Sequence, residues 1–488
     1  MSSFRSLLRH SAAYSVPVIL GKMCSFFLLP IYTRYLSPAD YGVLELLDLT
    51  SYVLSSLLGS RLGDALCYFY AAETTEEDRD RAATTALVSA LAMGALGALG
   101  GILFSGPLGE AVFRTTAYTP YFHLLFLNFV MAMPLEVGLA YLRVRNQSTL
   151  FTICLSARLA VSILCNVWFL AVWSMGVKAI LWSTLVASGT LLVGIAAAVF
   201  SSTRLTFDWA LCRRMAAYAF PIGVGGVAML VIHYGDRFFL QRSASLADVG
   251  IYSLAYKLGM LISYVQLPFT TYWTSQMYQI VRGDNGQAIN ARVCTYVFLA
   301  LSSAGVAIAV LSRPALNLLT TPAFRSASQF IPLIVAAYVI RGLGDQFRNV
   351  FLMENRTGSD AQTSTVGSLF CLAAYILLIP RFKMWGAAAA TLIAFVALAA
   401  FSYWKSQRIK KYPYETGRLV KIGASAVAAV AVALIAAPEG VTGQLLAGAA
   451  SLILYAVLLV ASGFFTRDEI QTVKELRVYV WQRAAGAL

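Results

Sequence analysis

Lys22, Arg158, Lys257 and Arg341 stand deep inside long apolar runs of this chain. Lys22 lies about ten residues from either end of its run, which is about 15 Å of depth at the helical rise per residue. Arg158 and Lys257 lie roughly 12 Å from their nearest ends by the same measure. A charge so placed is costly in an apolar solvent, and it faces either a partner or a water-filled cavity. Snorkelling covers only a side chain's length, too little to bring Lys22 to a surface. Cations converging on one cavity would bind an anion. Arg offers a planar fork suited to phosphate, and Lys a point charge. Arg61, Arg348 and Tyr256 are secondary candidates for the wall of such a cavity.

Internal pairing is the competing reading. Arg341 and Asp345 are four apart on one helix, and Arg61 and Asp64 three apart, so each pair has the spacing to neutralise itself. Lys22, Arg158 and Lys257 have no acidic residue within four positions. Partners for them would come from other helices: Glu45, Asp48, Glu136 or Asp236. Tyr252, Tyr256 and Tyr264 share one helical face beside Lys257. That arrangement suits sugar rings next to a phosphate, and it equally suits helix packing or an interfacial aromatic belt.

The elements that would hold these side chains are membrane helices. Hydrophobic residues make up 59% of the 488 and charged residues 12%, where a soluble domain carries about 25% charged. A membrane-spanning helix needs roughly 20 apolar residues. Runs of that length cover 12–32, 43–66, 83–105, 120–141, 150–172, 177–199, 215–238, 249–273, 291–311, 328–351, 361–380, 384–404, 418–437 and 442–464. These fourteen spans predict an all-α integral membrane protein, since helices satisfy their own backbone groups in lipid.

Basic residues concentrate where a cytoplasmic N-terminus would put cytoplasmic segments. They include Arg143, Arg145, Arg213, Arg214 and the cluster Lys405, Arg408, Lys410, Lys411, Arg418 and Lys421. The bias predicts a multi-pass protein of the cell membrane with both termini cytoplasmic. It also accounts for the net charge of +14 without a nucleic-acid partner. The seven cysteines form no CxxC and suit packing better than a metal site. GxxxxGK[ST], HExxH and GxSxG are absent, and the three histidines (His10, His123, His233) form no catalytic set. An enzyme, a resident cofactor and a bound metal are not expected. Thr466 and Glu469 have capping-box spacing. Ile470, Val473, Leu476 and Val480 follow at helical spacing, which predicts a cytoplasmic amphipathic helix over 466–488.

The chain also echoes itself. "AAYSVP" at Ala12–Pro17 returns as "AAYAFP" at Ala216–Pro221, and Ala39-Asp40-Tyr41-Gly42 returns as Ala247-Asp248-Val249-Gly250. An even number of helices separates the copies, so both enter the membrane in the same direction. This predicts two parallel six-helix lobes, 1–205 and 206–410, around a central cationic cavity. Helices 13 and 14 (411–465) lie outside the repeat. Pro17 and Pro221 bend the first helix of each copy, as a hinge or as a fixed kink; Pro134 and Pro268 carry the same two readings. Position 22 corresponds to Gly226, so the deep lysine belongs to one copy only.

The N-terminal stretch "SAAYSVPVILGKMCSFFLLPIYTRYLSPADYGVLELL" resembles the start of bacterial polysaccharide transporters. These are the Wzx-type O-antigen and oligosaccharide flippases of the multidrug/oligosaccharidyl-lipid/polysaccharide exporter (MOP) superfamily. The matching features are the proline-bearing first helix, Pro-Ile-Tyr-Thr-Arg at Pro30–Arg34, and "LSPADYG" before the second helix. One departure is "ALCYFY" (Ala65–Tyr70), which puts Tyr68 where such proteins often carry an arginine. The resemblance implies translocation of an undecaprenyl-diphosphate-linked oligosaccharide to the outer leaflet by alternating access, for O-antigen, lipopolysaccharide or exopolysaccharide assembly. It further implies contact with membrane lipids and with a polysaccharide polymerase or other assembly proteins. Coupling to H+ or Na+ would fall to Glu45, Asp48 or Glu136. Two other readings stand beside this one: a drug or metabolite antiporter of the related multidrug branch, and a non-transporting membrane subunit of a polysaccharide secretion complex.

Overall fold

The computed structural model describes residues 28–471 apart from 59–60, 203–205, 282, 284, 437, 467–468 and 470. Lys22, Pro17 and most of the run 12–32 lie outside the described residues, as do Ile470 and residues 472–488 of the expected C-terminal helix.

The described residues form seventeen α-helices and no strand. In chain order they are α1 (Leu29–Tyr35), α2 (Pro38–Leu58), α3 (Leu62–Ala72), α4 (Glu76–Leu103), α5 (Ser105–Phe113), α6 (Thr119–Val144), α7 (Ser148–Ala171), α8 (Val177–Ser202) and α9 (Trp209–Tyr234). Then come α10 (Asp236–Ser243), α11 (Leu246–Gly259), α12 (Leu261–Val281), α13 (Gly286–Leu319), α14 (Ile331–Met353), α15 (Thr357–Ile409), α16 (Thr416–Ala436) and α17 (Val441–Ala461). Every predicted span from residue 43 onward falls on helix. Nine of the described helices are long and apolar enough to cross a membrane, or ten if Pro322–Gln329 and Ile331–Met353, bent by 46°, count as one span. The run 249–273 is divided between α11 and α12, which meet at Met260.

Packing divides the chain into two compact units, Met1–Ser253 and Leu254–Leu488. In the first, the two copies of the Ala-Asp-x-Gly string begin helices in the same way. Ser37 Oγ accepts the Asp40 N–H at 3.2 Å, and Asp40 Oδ2 accepts the Ser37 N–H at 3.0 Å. Ser245 and Asp248 repeat both bonds at 3.2 and 3.0 Å. Each is a reciprocal cap that satisfies donors at the helix start. The two caps then pack on one another through the glycines. A Cβ on Gly42 would lie 2.1 Å from the Leu246 carbonyl oxygen, and one on Gly250 would lie 2.0 Å from that of Pro38. Gly42 corresponds to Gly250 and Pro38 to Leu246 at the same offset, so each copy's glycine seats on the other's first turn. Such mutual contact is the pattern of a two-fold relation. A second close approach sets α9 on α2: Ser56 Oγ donates to the Gly223 carbonyl at 3.1 Å, two residues past Pro221.

In the second unit, α15 covers both predicted spans 361–380 and 384–404. It doubles back at Lys383, whose φ of 50° and ψ of −125° are not helical. Gly386 packs on the backbone of Leu378 and Ile379, and Gly367 packs on Leu398. Both pairs are centred near Lys383, as an antiparallel hairpin requires. The start of α13, the end of α14 and the segment after α15 share a core of Ala291, Cys294, Phe347, Val350, Tyr412 and Tyr414. The capping box after α17 forms as predicted: Thr466 N–H donates to Glu469 Oε2 at 2.9 Å, and Glu469 N–H to Thr466 Oγ1 at 3.4 Å. Arg418 grips both Glu469 oxygens at 3.1 Å, and Tyr296 donates to the same carboxylate. Burial pushes the Glu469 carboxyl up, but the bonds from Tyr296, the Thr466 backbone and Arg418 outweigh it and hold it below the usual range.

Candidate functional site

In the first unit, α2 ends at Leu58 and α3 starts at Leu62, which leaves Arg61 at the N-cap of α3. The last turns of α2, this break and the middle of α6 enclose a cavity of about 290 Å³. Ser51, Tyr52 and Ser55 line it from α2, and Phe129, Met133 and Glu136 from α6, with Arg61 at the break.

One cation, Arg61, lines this cavity, and Arg158 reaches its wall through Glu136. Arg61 Nη2 donates to Tyr52 Oη at 3.3 Å, and its Nη1 lies 3.6 Å from Asp64 Oδ2. The Arg61 Nε–H is buried and has no acceptor among the described residues. Arg158, on α7, reaches across to Glu136, with Nη1 3.3 Å from Oε1. The side chains of Arg158 and Glu136 are 28% and 50% exposed. Neither end of this pair is sealed off by packing, so a ligand anion can approach Arg158 as well as Arg61. Glu136 in the same wall also provides a group that can take or release a cation.

The remaining candidates lie elsewhere. Glu45 belongs to a buried cluster in the first unit. Arg237, fully buried, places Nε 3.8 Å from Glu45 Oε2, donates from Nε to Ser253 Oγ at 2.9 Å, and sets Nη1 3.4 Å from Asp236 Oδ1. Tyr252 donates to Asp236 Oδ2 at 2.6 Å, and the guanidinium lies 5.0 Å from the Tyr234 ring centre. Arg237 was not among the residues singled out from sequence, because it sits at the very end of a predicted span. The signal was the adjacent Asp236–Arg237 pair, together with a Glu45 that has no basic residue near it on its own helix. Asp48 is exposed on α2.

In the second unit, Lys257 is exposed on α11 and Tyr256 is buried beside it. Tyr338 donates to Tyr256 Oη at 2.9 Å, and Arg341 lies over the Tyr338 and Phe395 rings at 5.8 and 5.6 Å. Asp345, the residue one turn on from Arg341, accepts from Gln266 at 3.3 Å. Arg348 is held by Asp360 and by Ser364, each at 2.8 Å. The structure thus joins Arg61, Arg158 and Glu136 within the first unit, and links Tyr256 to Arg341 through Tyr338 within the second.

Solved structures with this fold are membrane transporters. The chain is similar to lipid II flippase MurJ in its inward closed conformation, with a TM-score of 0.75 and 12% identity over 93% of this chain and 99% of that one. A multidrug resistance MATE family transporter of the MOP superfamily, inward-facing, aligns at 0.66 and 15% identity, covering 82% and 98% of the two chains. A MOP superfamily transporter from Pyrococcus furiosus aligns at 0.58 and 15%, covering 82% and 95%. No curated protein matches the sequence. The sequence pattern of one family, described as polysaccharide biosynthesis protein, matches residues 31–329. That match takes in both Ala-Asp-x-Gly strings, the cavity of Arg61 and Arg158, and more than half of the chain. The chain therefore belongs to the polysaccharide biosynthesis protein family and carries the fold of MOP superfamily transporters.

Proposed function

We propose that this protein is a flippase for undecaprenyl-diphosphate-linked oligosaccharide. It would work by alternating access, moving the glycan from the cytoplasmic to the outer leaflet of a bacterial inner membrane with both termini cytoplasmic. The product would feed O-antigen or exopolysaccharide assembly. The half-open cavity of Arg61 and Arg158 carries this reading. Its buried, unpartnered Nε–H and a weakly held guanidinium are suited to a diphosphate, since charge-assisted bonds to phosphate are strong and directional. The lipid tail would stay in the bilayer and the sugars would face water. Arg341, Lys257, Arg348 and Tyr256 are assigned to the glycan path, with Lys22 as a further cation of the site. Glu136 is the group to which proton or sodium coupling is assigned, with Glu45 and Asp48 behind it. Pro17 and Pro221 are assigned as hinges of lobes spanning 1–205 and 206–410.

The expected result in cells is specific. Arg158→Ala, at normal membrane levels, abolishes surface glycan and leaves lipid-linked precursor inside; Arg158→Lys keeps part of the activity, because charge remains but the fork is lost. Extraction of lipid-linked saccharides from both variants checks this. Undiminished surface glycan in Arg158→Ala would remove the cavity from the mechanism. A multidrug antiporter draws support from one observation, the exposed Glu136 carboxylate in the same wall. Altered drug resistance with unchanged glycan on loss of the protein would decide for it.

A further inference from the structure

Beside the cationic cavity lies a second space of different character. It is an apolar groove of about 410 Å³ between α2, α4, α5 and α6. Leu54, Leu58, Gly97, Gly100, Phe104 and Phe126 line it, and none of its lining residues carries a polar side chain. Gly100 forms its floor: a Cβ there would meet nothing within 4 Å. The groove opens to the apolar surroundings of the unit, where Phe104 and Leu103 are 65% and 71% exposed.

The two spaces share their walls. Leu54 and Leu58 follow Ser51 and Ser55 by three residues on α2, so they stand one step round the same helix. On α6, Phe126 lines the groove and Phe129 the cavity, with ring centres 5.5 Å apart. A Cβ on Gly97, in the groove, would lie 2.9 Å from Leu58 and 3.8 Å from the Phe129 ring. The Leu58 and Phe129 side chains therefore stand where the groove and the cavity of Arg61 adjoin.

We infer that the groove holds the first isoprene units of the substrate's polyprenyl chain while the diphosphate sits against Arg61 in the neighbouring cavity. This rests on the flippase reading above and adds to it a seat for the tail in the first unit. An occupant must be apolar, a single chain, and joined to an anion next door; a polyprenyl diphosphate has all three features. Transfer from bilayer to groove brings no hydrophobic gain, because lipid is as apolar as the slot; the gain is contact with Leu58, Gly97 and Phe126. Specificity should therefore depend on fit, and filling the groove should destroy it.

The test uses the full-length protein in nanodiscs with two probes, undecaprenyl diphosphate and inorganic pyrophosphate. Gly100→Leu fills open space and improves helix propensity, so it should fold. Gly100→Ala fills less. Leu99→Phe adds bulk at a neighbouring exposed position outside the groove. The expected result is a loss of at least fivefold in undecaprenyl diphosphate affinity for Gly100→Leu and a smaller loss for Gly100→Ala. Pyrophosphate binding should be unchanged in both, and Leu99→Phe should match the parent for both probes. Equal undecaprenyl diphosphate affinity in parent and Gly100→Leu would overturn the seat. So would an equal loss for both probes. Competition by phosphatidylglycerol in the parent but not in Gly100→Leu would make the groove a general acyl-chain site and overturn the assignment. A parent that binds pyrophosphate but shows no gain from the prenyl chain would overturn the seat alone. A parent that binds neither probe would overturn the flippase reading with it.

Discussion

Arg237→Ala is expected to prevent stable folding of the first unit. The arginine is fully buried, with Asp236 fully buried beside it and Glu45 only 5% exposed. Its guanidinium supplies the positive charge to both acids and a hydrogen bond to Ser253. Removal takes that charge from two buried carboxylates, one of which, Asp236, keeps its bond from Tyr252. Breaking a buried pair this way costs about 3–5 kcal/mol, a large share of the roughly 5–15 kcal/mol that holds a typical domain. Arg237→Lys keeps a charge but loses the fork, and should fall between. Thermal unfolding of purified protein, tracked by size-exclusion recovery, checks the order: parent, then Arg237→Lys, then Arg237→Ala. Recovery of the alanine variant equal to the parent would show that the cluster does not hold the unit together.

The second large effect belongs to the glycines of the repeated strings. Gly42 and Gly250 each face a backbone carbonyl, at distances of 2.1 and 2.0 Å from an added Cβ. Backbone cannot swing aside as a side chain does, so even Gly→Ala must part the starts of α2 and α11. Overpacking typically costs about 1–3 kcal/mol. Because the contact is mutual, the two changes should not add. Once Gly42→Ala has opened it, Gly250→Ala should cost little more, giving a coupling within the 0.5–3 kcal/mol range known for touching residues. A double-mutant cycle on thermal stability measures this directly. Additive losses would show that the two strings do not bear on each other. If transport requires these ends to separate and meet again, both alanines should also slow it.

The membrane helices were legible because length and apolarity alone define them, and among the described residues each run from residue 43 onward is mostly helix. The repeat was legible as well, and its Ser-x-x-Asp-x-Gly pattern turned out to encode a cap and a contact at once. The turn at Lys383 was legible, since residues 381–383 part the predicted spans 361–380 and 384–404, whereas Met260 breaks a span predicted to be continuous. The site was readable in part. Depth and charge pointed to Arg61, Arg158 and Glu136, but only folding could show that Arg61 and Glu136 line one cavity and that Arg158 pairs with that Glu136. Arg237 escaped because burial of a charge at a helix end depends on what packs over it. Arg341 shows the converse, since its spacing to Asp345 suggested a simple pair, whereas aromatic rings from two helices lie under it.

In the proposed function this chain moves a lipid-linked saccharide past a cavity that Arg61 lines and whose Glu136 is held by Arg158. The most direct measurement is flipping by the purified protein in proteoliposomes, with undecaprenyl-diphosphate-linked oligosaccharide made accessible to an external glycan-cleaving enzyme as it crosses. Crossing is expected with the protein alone, reduced at least tenfold in Arg61→Ala and Arg158→Ala and preserved in Leu99→Phe. Failure of the parent to move the lipid, or full activity in the two arginine variants, would contradict it.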